Sequence, residues 1–244
     1  MSQLSLRVIS RLMAYPSQAL QAAVPEMREA LADEAVLPSA RHEALETLLH
    51  TIAATPLMAL QERYVETFDR GRNLSLHLFE HVHGESRDRG QAMVDLMNHY
   101  HAHGCLLDAH ELPDHLPLML EFMSTQSVSA SRELLDDAMP VLVLLGARLR
   151  ESGSDYAVLF EALESLGTTP AEAEAMRRQA AAEGPDETIE KMDEIWEEEQ
   201  VTFLGNSDPA SGGCTAQPTG PQAATEHAVL WTDLRSAKRD PLRA

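Results

Sequence analysis

The chain has 244 residues, of which 44% are hydrophobic and only 5% aromatic, and it carries a formal net charge of −20. This length allows one substantial core, or a domain of about 200 residues with an appendage, and a core of Leu, Ala, Val and Met favours helices. The negative charge argues strongly against nucleic acid and anionic membrane surfaces as partners.

Cysteine usage and the N-terminal segment indicate a compartment. Cys105 and Cys214 stand far apart, so the sequence predicts neither a structural disulfide nor a Cys-rich metal site, and a reducing compartment fits best. Residues 1–10 lack the apolar core of a signal peptide. Because no apolar run approaches the roughly 18 to 20 residues of a membrane span, we expect a cytoplasmic protein with no stable membrane association.

Apolar residues at helical spacing begin near the N-terminus. Leu4, Val8, Leu12 and Tyr15 form an early stripe that Pro16 closes. The dipeptide at 55–56, Thr-Pro, predicts an N-cap followed by proline at the first helical position. The first quarter of the chain is therefore predicted to be helical.

The middle of the chain repeats this spacing. Met93, Leu96, Met97 and Tyr100 recur every three or four residues. Gly104 lies where a helix is expected to end, because glycine adopts the left-handed conformation that commonly follows a helix. The sequence predicts a helix that closes at this glycine.

One apolar run, at 141–145, is open to two interpretations. It could be a strand, but no turn residues flank it, so a buried helix just after Pro140 is the better interpretation. A further leucine stripe closes at Gly167, and Thr-Pro-Ala-Glu at 169–172 indicates a capping box. With no alternating strand series or hairpin signal, we predict an all-α fold, a single compact bundle of roughly eight to ten helices of ordinary length.

The composition changes near Gly205. From there to Ala244 the chain has four glycines, four prolines and charges that cancel, which predicts a disordered tail at 205–244 after a helical domain at 1–204. The whole net charge then belongs to the domain. Within it, residues 183–199 carry nine acids against one base, a pattern typical of a solvated helix face or, alternatively, of a docking face for a basic segment.

Histidine is concentrated in one region. Eight of the eleven histidines fall between His77 and His115, and the pairs His77/His81 and His99/His103 have the i,i+4 spacing that can bind a metal from one helix. Neither pair forms His-Glu-x-x-His, and neither has an obvious third ligand. Surface or capping histidines are the simpler interpretation, and a His-dependent metallohydrolase is the alternative from the enzyme class.

Two polar residues are predicted to cap helices. Asp114 is placed at an N-cap with Pro117 at the third helical position, because proline is tolerated only in the first turn. A helix N-terminus also presents free N–H groups to a bound group, so capping and ligand contact are compatible. Ser86 is predicted to cap the helix that bears Met93.

The sequence offers no catalytic constellation. No Gly-x-Ser-x-Gly elbow, Walker A motif or dinucleotide fingerprint occurs. Tyr64, Phe68 and Phe79 are more often core than ligand-facing residues, although three aromatic rings near one helix break could also form an apolar groove. We therefore do not expect an enzyme, and we expect no bound cofactor or metal.

Three motifs carry a resemblance to a known family. They are Phe-Asp-Arg-Gly-Arg (68–72), Leu-Phe-Glu-His-Val-His-Gly-Glu-Ser-Arg-Asp-Arg-Gly (78–90) and Glu-Leu-Pro-Asp-His-Leu-Pro (111–117). Together with Trp-Glu-Glu-Glu-Gln-Val at 196–201, they resemble the NarJ family, the maturation chaperones of membrane-bound respiratory nitrate reductase. That family belongs to the wider group of TorD/DmsD-like chaperones. The resemblance covers about residues 4–204.

The resemblance implies an all-helical, cofactor-free protein. It would bind the N-terminal segment of the molybdenum-containing catalytic subunit in the cytoplasm and permit insertion of the molybdenum cofactor and an iron–sulfur cluster before membrane docking. It would not be part of the finished enzyme. Molybdenum cofactor delivery proteins are candidate further partners, and direct contact with the cofactor stays open. A chaperone of the same fold for another molybdoenzyme is the alternative.

The resemblance also implies a peptide-binding surface. In the wider group that surface is placed around residues that match Tyr64, Phe68, Glu80, His83, Gly84, Glu85, Ser86, Asp114 and His115. An acidic body would steer a basic, apolar segment towards such a surface and bury its apolar face. If His83 and His115 line it, their protonation should weaken binding of a basic peptide as the pH falls from about 8 to 6.

Overall fold

A computed structural model of the chain describes residues 3–84, 86–107 and 111–183. Within these ranges the chain forms eleven α-helices and one π-helical turn, and no β-strand. The helices are α1 (Leu4–Leu12), α2 (Gln18–Ala22), α3 (Val24–Glu34), α4 (Ser39–Ala54), α5 (Leu57–Tyr64), α6 (Leu78–His83), α7 (Asp88–Ala102), α8 (Leu116–Thr125), α9 (Val128–Glu151), α10 (Ala157–Leu166) and α11 (Ala173–Ala182).

The predicted all-α fold is confirmed. The helix count exceeds the prediction because α2 has only five residues and α6 only six, which is too short for a full helical stripe in the sequence. The π-helical turn, Val65–Asp69, continues directly from α5. None of the described helices combines the length and apolar character that a membrane span requires.

The longest helix, α9, organises the core. It packs against α10 and α11, α10 also packs against α4, and α1 packs against α3 and α8. The apolar run 141–145 lies inside α9, as the helical interpretation predicted. However, the helix begins earlier, at Val128, where the Ser127 hydroxyl accepts the Ala130 N–H at 3.3 Å, and it continues through Pro140.

The helix ends predicted from glycines agree with the structure better than the helix starts predicted from prolines. Gly104 has φ of +74° beyond the end of α7, and Gly167 closes α10, as predicted. In contrast, Pro56 lies at the N-cap itself, so α5 begins one residue later than predicted. Similarly, α11 begins only at Ala173, after the predicted capping box.

The helix α7 is attached mainly at its C-terminal end. Tyr100 is its one buried residue. The Tyr100 hydroxyl donates to the Pro113 carbonyl at 2.8 Å, and its ring lies 4.6 Å from that of Phe122 on α8. Met93 and Met97 of the predicted stripe are only half-buried, so the first half of α7 contributes little to the core.

Several predictions concern residues outside the described ranges. They are the tail at 205–244, the acidic stretch beyond Glu183 and the motif at 196–201. The domain boundary at 204/205 therefore stays a prediction.

Candidate functional site

Asp114 caps a helix, but a different one from that predicted. The helix that follows it, α8, begins at Leu116 with Pro117 in its first turn, and its N-cap residue makes no side-chain bond. Asp114 is fully buried, and its Oδ2 accepts the Phe79 N–H of α6 at 3.0 Å. Its Oδ1 lies 3.3 Å from Nδ1 of His77, the N-cap residue of α6. The carboxylate therefore fixes the start of α6 from a distant part of the sequence.

Backbone contacts join the same two segments. The Leu116 N–H donates to the Leu76 carbonyl at 2.8 Å. His77 and His115 form an isolated antiparallel bridge, with ring centroids 5.1 Å apart. The second and third motifs of the resemblance, which are separated in sequence, thus meet at one helix junction.

The π-helical turn at 65–69 places two aromatic rings in the core. Tyr64 and Phe68 are 6% and 5% exposed, which confirms that they are core residues. The Tyr64 hydroxyl donates to the Met13 carbonyl at 3.1 Å, and the Phe68 ring centroid lies 4.9 Å from that of Tyr156. Single π turns inside helices occur frequently at functional sites, and here the turn includes Phe68 and Asp69, the first two residues of the first motif.

A cleft of about 330 Å³ lies between the π-helical turn and α6, and we call it the α5–α6 cleft. It is lined by Phe68, Asp69, Arg70, Gly71, Arg72, Ser75 and Glu80. The cleft brings together two of the predicted site residues, Phe68 and Glu80. Its lining carries both signs of charge, with two carboxylates and two guanidinium groups.

The acids in and beside this cleft differ in their environments. Partial burial raises the pKa of Asp69, and the negative charge of Glu111 raises it further. For Glu80, burial acts in the same direction but is outweighed by hydrogen bonds from Ser75 and Arg89, so its pKa is lowered. The Arg89 Nη2 lies 3.1 Å from Glu80 Oε1. Asp69 is therefore the cleft carboxylate whose charge an incoming cation would stabilise most.

His77, His81 and His115 differ in the direction in which the protein shifts their pKa. The hydrogen bond with Asp114 raises the pKa of His77, whereas burial lowers the pKa of His115 and of His81. His81 Nε2 lies 2.8 Å from the Ser75 carbonyl. Burial of His115 therefore argues against the expectation that its imidazole gains a proton between pH 8 and 6, and the effect of pH on peptide binding stays a prediction.

His83, Gly84 and Ser86, three further predicted residues, lie where α6 ends and α7 begins and are not among the residues that line the cleft. Gly84 has φ of +55°, which favours glycine, and His83 is half-buried. Ser86 is not the N-cap residue that was predicted, because that position is occupied by Arg87, although the Ser86 hydroxyl accepts the Asp88 N–H at 3.1 Å just before α7. Glu85 lies outside the described residues.

The two histidine pairs at i,i+4 spacing have partners within the protein, and the rings of His99 and His103 also contact each other, with centroids 4.5 Å apart. His77 and His81 have the separate partners described above, and His103 Nδ1 lies 2.8 Å from the backbone carbonyl of His99. In the described part of the chain, no three His, Cys, Asp or Glu side chains converge in a way that could hold a metal ion.

Reasoning from the sequence did not select Asp69, His77 or Glu111 as site residues. Two of them lie inside the quoted motifs at 68–72 and 111–117, so their position in those motifs was the available signal. His77 was noticed only for its spacing from His81, which favoured a metal site instead. Their proximity depends on tertiary packing that spacing alone does not reveal.

The fold and this cleft define the class of the protein: in its described residues, an all-helical protein with a charged cleft at a helix junction. Residues 17–162 match the family model described as nitrate reductase delta subunit. The chain belongs to this family.

Three relatives match most of the chain. It is 45% identical over 213 residues to the nitrate reductase molybdenum cofactor assembly chaperone NarJ of Escherichia coli (strain K12), which covers 87% of this chain and 90% of the relative. It is 40% identical over 213 residues to the probable chaperone of the same description, NarW, from that strain, with 87% and 88% covered. It is 35% identical over 172 residues to the probable chaperone NarJ of Bacillus subtilis (strain 168), with 68% and 91% covered.

The resemblance inferred from the three motifs is therefore confirmed. These relatives are named as assembly chaperones and not as catalysts, in agreement with the expectation that the chain is not an enzyme.

Proposed function

We propose that this protein is a cytoplasmic chaperone for the assembly of nitrate reductase. It binds the N-terminal segment of the apo catalytic subunit, keeps that subunit competent for insertion of the molybdenum cofactor and an iron–sulfur cluster, and releases it before membrane docking. Support for the nitrate reductase client comes from the family match and from relatives whose names all specify nitrate reductase molybdenum cofactor assembly. Molybdenum cofactor delivery proteins are proposed as further partners.

The α5–α6 cleft is the proposed binding site for the client segment. The observation that carries this proposal is the environment of Asp69, a cleft carboxylate crowded by burial and by Glu111. A Lys or Arg of the client would relieve this crowding, because an opposite charge stabilises the ionised carboxylate. Phe68 contributes a small apolar part of the same cleft lining, because only 5% of it is exposed.

The predicted site residues within the described ranges divide into three groups in this proposal. Phe68 and Glu80 line the cleft and contact the client. Tyr64, Asp114 and His115 are largely or fully buried. They do not contact the client in this proposal but stabilise the segments that form the cleft. His83, Gly84 and Ser86 extend the surface along the α6–α7 turn.

Isothermal titration calorimetry with the N-terminal peptide of the cognate catalytic subunit tests the proposal. We expect a dissociation constant between micromolar and tens of nanomolar, or about −8 to −10 kcal/mol, because the client must later be released. Absence of binding at millimolar peptide, with the protein folded by circular dichroism, would refute the peptide-binding function.

A pair of matched variants tests the location of the site. Asp69→Asn should weaken binding about twofold to fivefold, as expected when one partly exposed ion pair is lost. Asp137→Asn makes the same chemical change at an exposed position on α9 that does not line the cleft, and it should leave the affinity unchanged. Equal affinities for both variants would place the client elsewhere on the surface.

A further inference from the structure

Arg148, in the last turn of α9, uses all three nitrogens of its guanidinium group. Its Nε and Nη2 donate to the two carboxylate oxygens of Glu183 at 2.6 and 2.8 Å, and its Nη1 donates to the backbone carbonyl of Asn73 at 2.9 Å. The Arg148 side chain is only 15% exposed. Bidentate pairing of this kind fixes the plane of the guanidinium as well as its position.

The Asn73 carbonyl lies within the segment that lines the α5–α6 cleft. Arg72 and Ser75, on either side of it in sequence, are both lining residues. Ser75 links this segment to α6, because its hydroxyl accepts the His77 N–H at 3.2 Å and its carbonyl contacts His81. Arg148 therefore holds the middle of the lining segment from the side of the core.

Glu183 in turn fixes Arg148. The hydrogen bond from Arg148 lowers the pKa of Glu183, and a second bond from Gln179 at 3.1 Å acts in the same direction. Glu183 is the C-cap residue of α11, and it begins the acidic stretch at 183–199. The guanidinium group of Arg148 thus joins the end of α9 to the end of α11 and also binds the backbone of the segment that lines the cleft.

We propose that Arg148 is a positioning residue of the client-binding cleft, and that the chain of contacts from Glu183 through Arg148 to Asn73 couples the end of α11 to the shape of that cleft. The inference rests on the proposed function, in which the cleft is the place where the client segment binds. Arg148 acts without touching the client, by keeping the 72–75 backbone in its binding conformation.

Calorimetry on three variants tests the effect on binding. Arg148→Gln should weaken affinity for the client's N-terminal peptide about tenfold, and Arg148→Lys should restore only part of it, because a single ammonium cannot reproduce the three-way guanidinium geometry. Arg150→Gln is the matched control: it removes the same charge two residues further along α9, from a side chain that is 51% exposed and pairs with Glu161. Its affinity should stay within twofold of the wild type.

Hydrogen exchange of the free protein tests the coupling without any peptide. In Arg148→Gln and in Glu183→Gln, the amides of Ser75 and His77 should exchange at least tenfold faster than in the wild type, while the amides of the α9 interior remain unchanged. Arg150→Gln should leave both groups of amides unaltered. Because no client is present, this measurement tests the coupling even if the wild type proves not to bind the peptide, which would refute only the proposed function.

In the exchange experiment, two results would overturn the inference. One is unchanged exchange of the Ser75 and His77 amides in Arg148→Gln. The other is a general acceleration across α9 and the lining segment alike, which would make Arg148 an ordinary structural ion pair. Equal affinities of Arg148→Gln and Arg150→Gln, with a wild type that binds, would likewise remove Arg148 from the positioning of the cleft.

Discussion

Asp114 illustrates how a single residue holds the candidate site together. Its carboxylate is fully buried, and it depends on the Phe79 N–H and the His77 ring for its partners. A buried carboxylate without such partners would be strongly destabilising. The position therefore links the start of α6 to the segment that precedes α8, and any displacement of one segment affects the other.

The two neighbouring histidines predict opposite effects of pH on stability. Burial lowers the pKa of His115, so its contribution to the free energy of unfolding is complete above pH about 6.5 and is lost as the pH falls further, when the unfolded chain binds more protons. The Asp114 hydrogen bond raises the pKa of His77. Its contribution is therefore complete below pH about 6.5 and is lost as the pH rises through its folded-state pKa.

These signs can be checked by urea unfolding at pH 7 and pH 5. His115→Gln should lose less stability on acidification than the wild type, and His77→Gln should lose more. His50→Gln, at an exposed position on α4, is the control for removal of a histidine. If His115→Gln and His50→Gln show the same change between the two pH values, burial does not keep His115 neutral.

The sequence predicted the local behaviour of single residues better than their distant partners. Ser86 was expected to be the N-cap residue of the helix immediately after it; the N-cap is Arg87, one residue later, but the Ser86 hydroxyl does accept the Asp88 N–H at the start of that helix. Asp114 was expected to cap the helix after it as well, but it caps α6, 35 residues earlier. A capping side chain bonds whichever free N–H groups lie nearest in the fold, and only the tertiary packing determines which helix that is.

At the scale of helices, two glycines provide a matched test of packing. A Cβ atom at Gly146 of α9 would lie 2.9 Å from the Cβ of Phe160 on α10, whereas a Cβ at Gly90 of α7 would meet nothing within 4 Å. Alanine is favoured over glycine in a helix by about 0.5 to 1 kcal/mol. Gly90→Ala should therefore raise the free energy of unfolding by about that amount. Gly146→Ala should lower it by about 1 to 3 kcal/mol, because overpacking outweighs the helix preference.

Equilibrium urea unfolding of the two alanine variants makes this comparison directly, since the chemical change is identical in each. An equal gain in stability for both would show that Phe160 can move away at little cost. The contact between α9 and α10 would then be looser than the structure indicates.

Helix existence was easier to predict than helix geometry. The apolar stripes and the glycines at 104 and 167 correctly indicated helices and their ends. The π-helical turn at 65–69 was not predicted, because its inward rings, Tyr64 and Phe68, are four residues apart, which is also the spacing of an ordinary α-helix. The continuation of α9 through Pro140 was missed for a different reason: proline usually marks a helix start or break, and here packing on both sides outweighs that preference.

At the scale of the whole molecule, the net charge of −20 predicts how fast a basic client segment is captured. Electrostatic steering raises association rates and is screened over about 10 Å at 0.1 M salt. The association rate constant of the client peptide, measured by stopped-flow fluorescence, should fall about tenfold between 50 and 500 mM NaCl. The dissociation rate constant should change much less.

A peptide with its Lys and Arg residues replaced by Gln serves as the reference in that experiment. Its slower association should be nearly independent of salt. The same salt dependence for both peptides would mean that the acidic surface does not guide the encounter, and that the charge serves solubility.

The weak attachment of α7 to the core lowers the local stability of the edge of the α5–α6 cleft. This helix contributes only Tyr100 to the buried core, yet its first turn supplies Arg89, the partner of Glu80 at the edge of the cleft. Helices with few buried contacts open at a small fraction of the free energy needed for global unfolding. We therefore expect the first turns of α7, and with them the ion pair between Arg89 and Glu80, to open at a smaller free energy than the core helices.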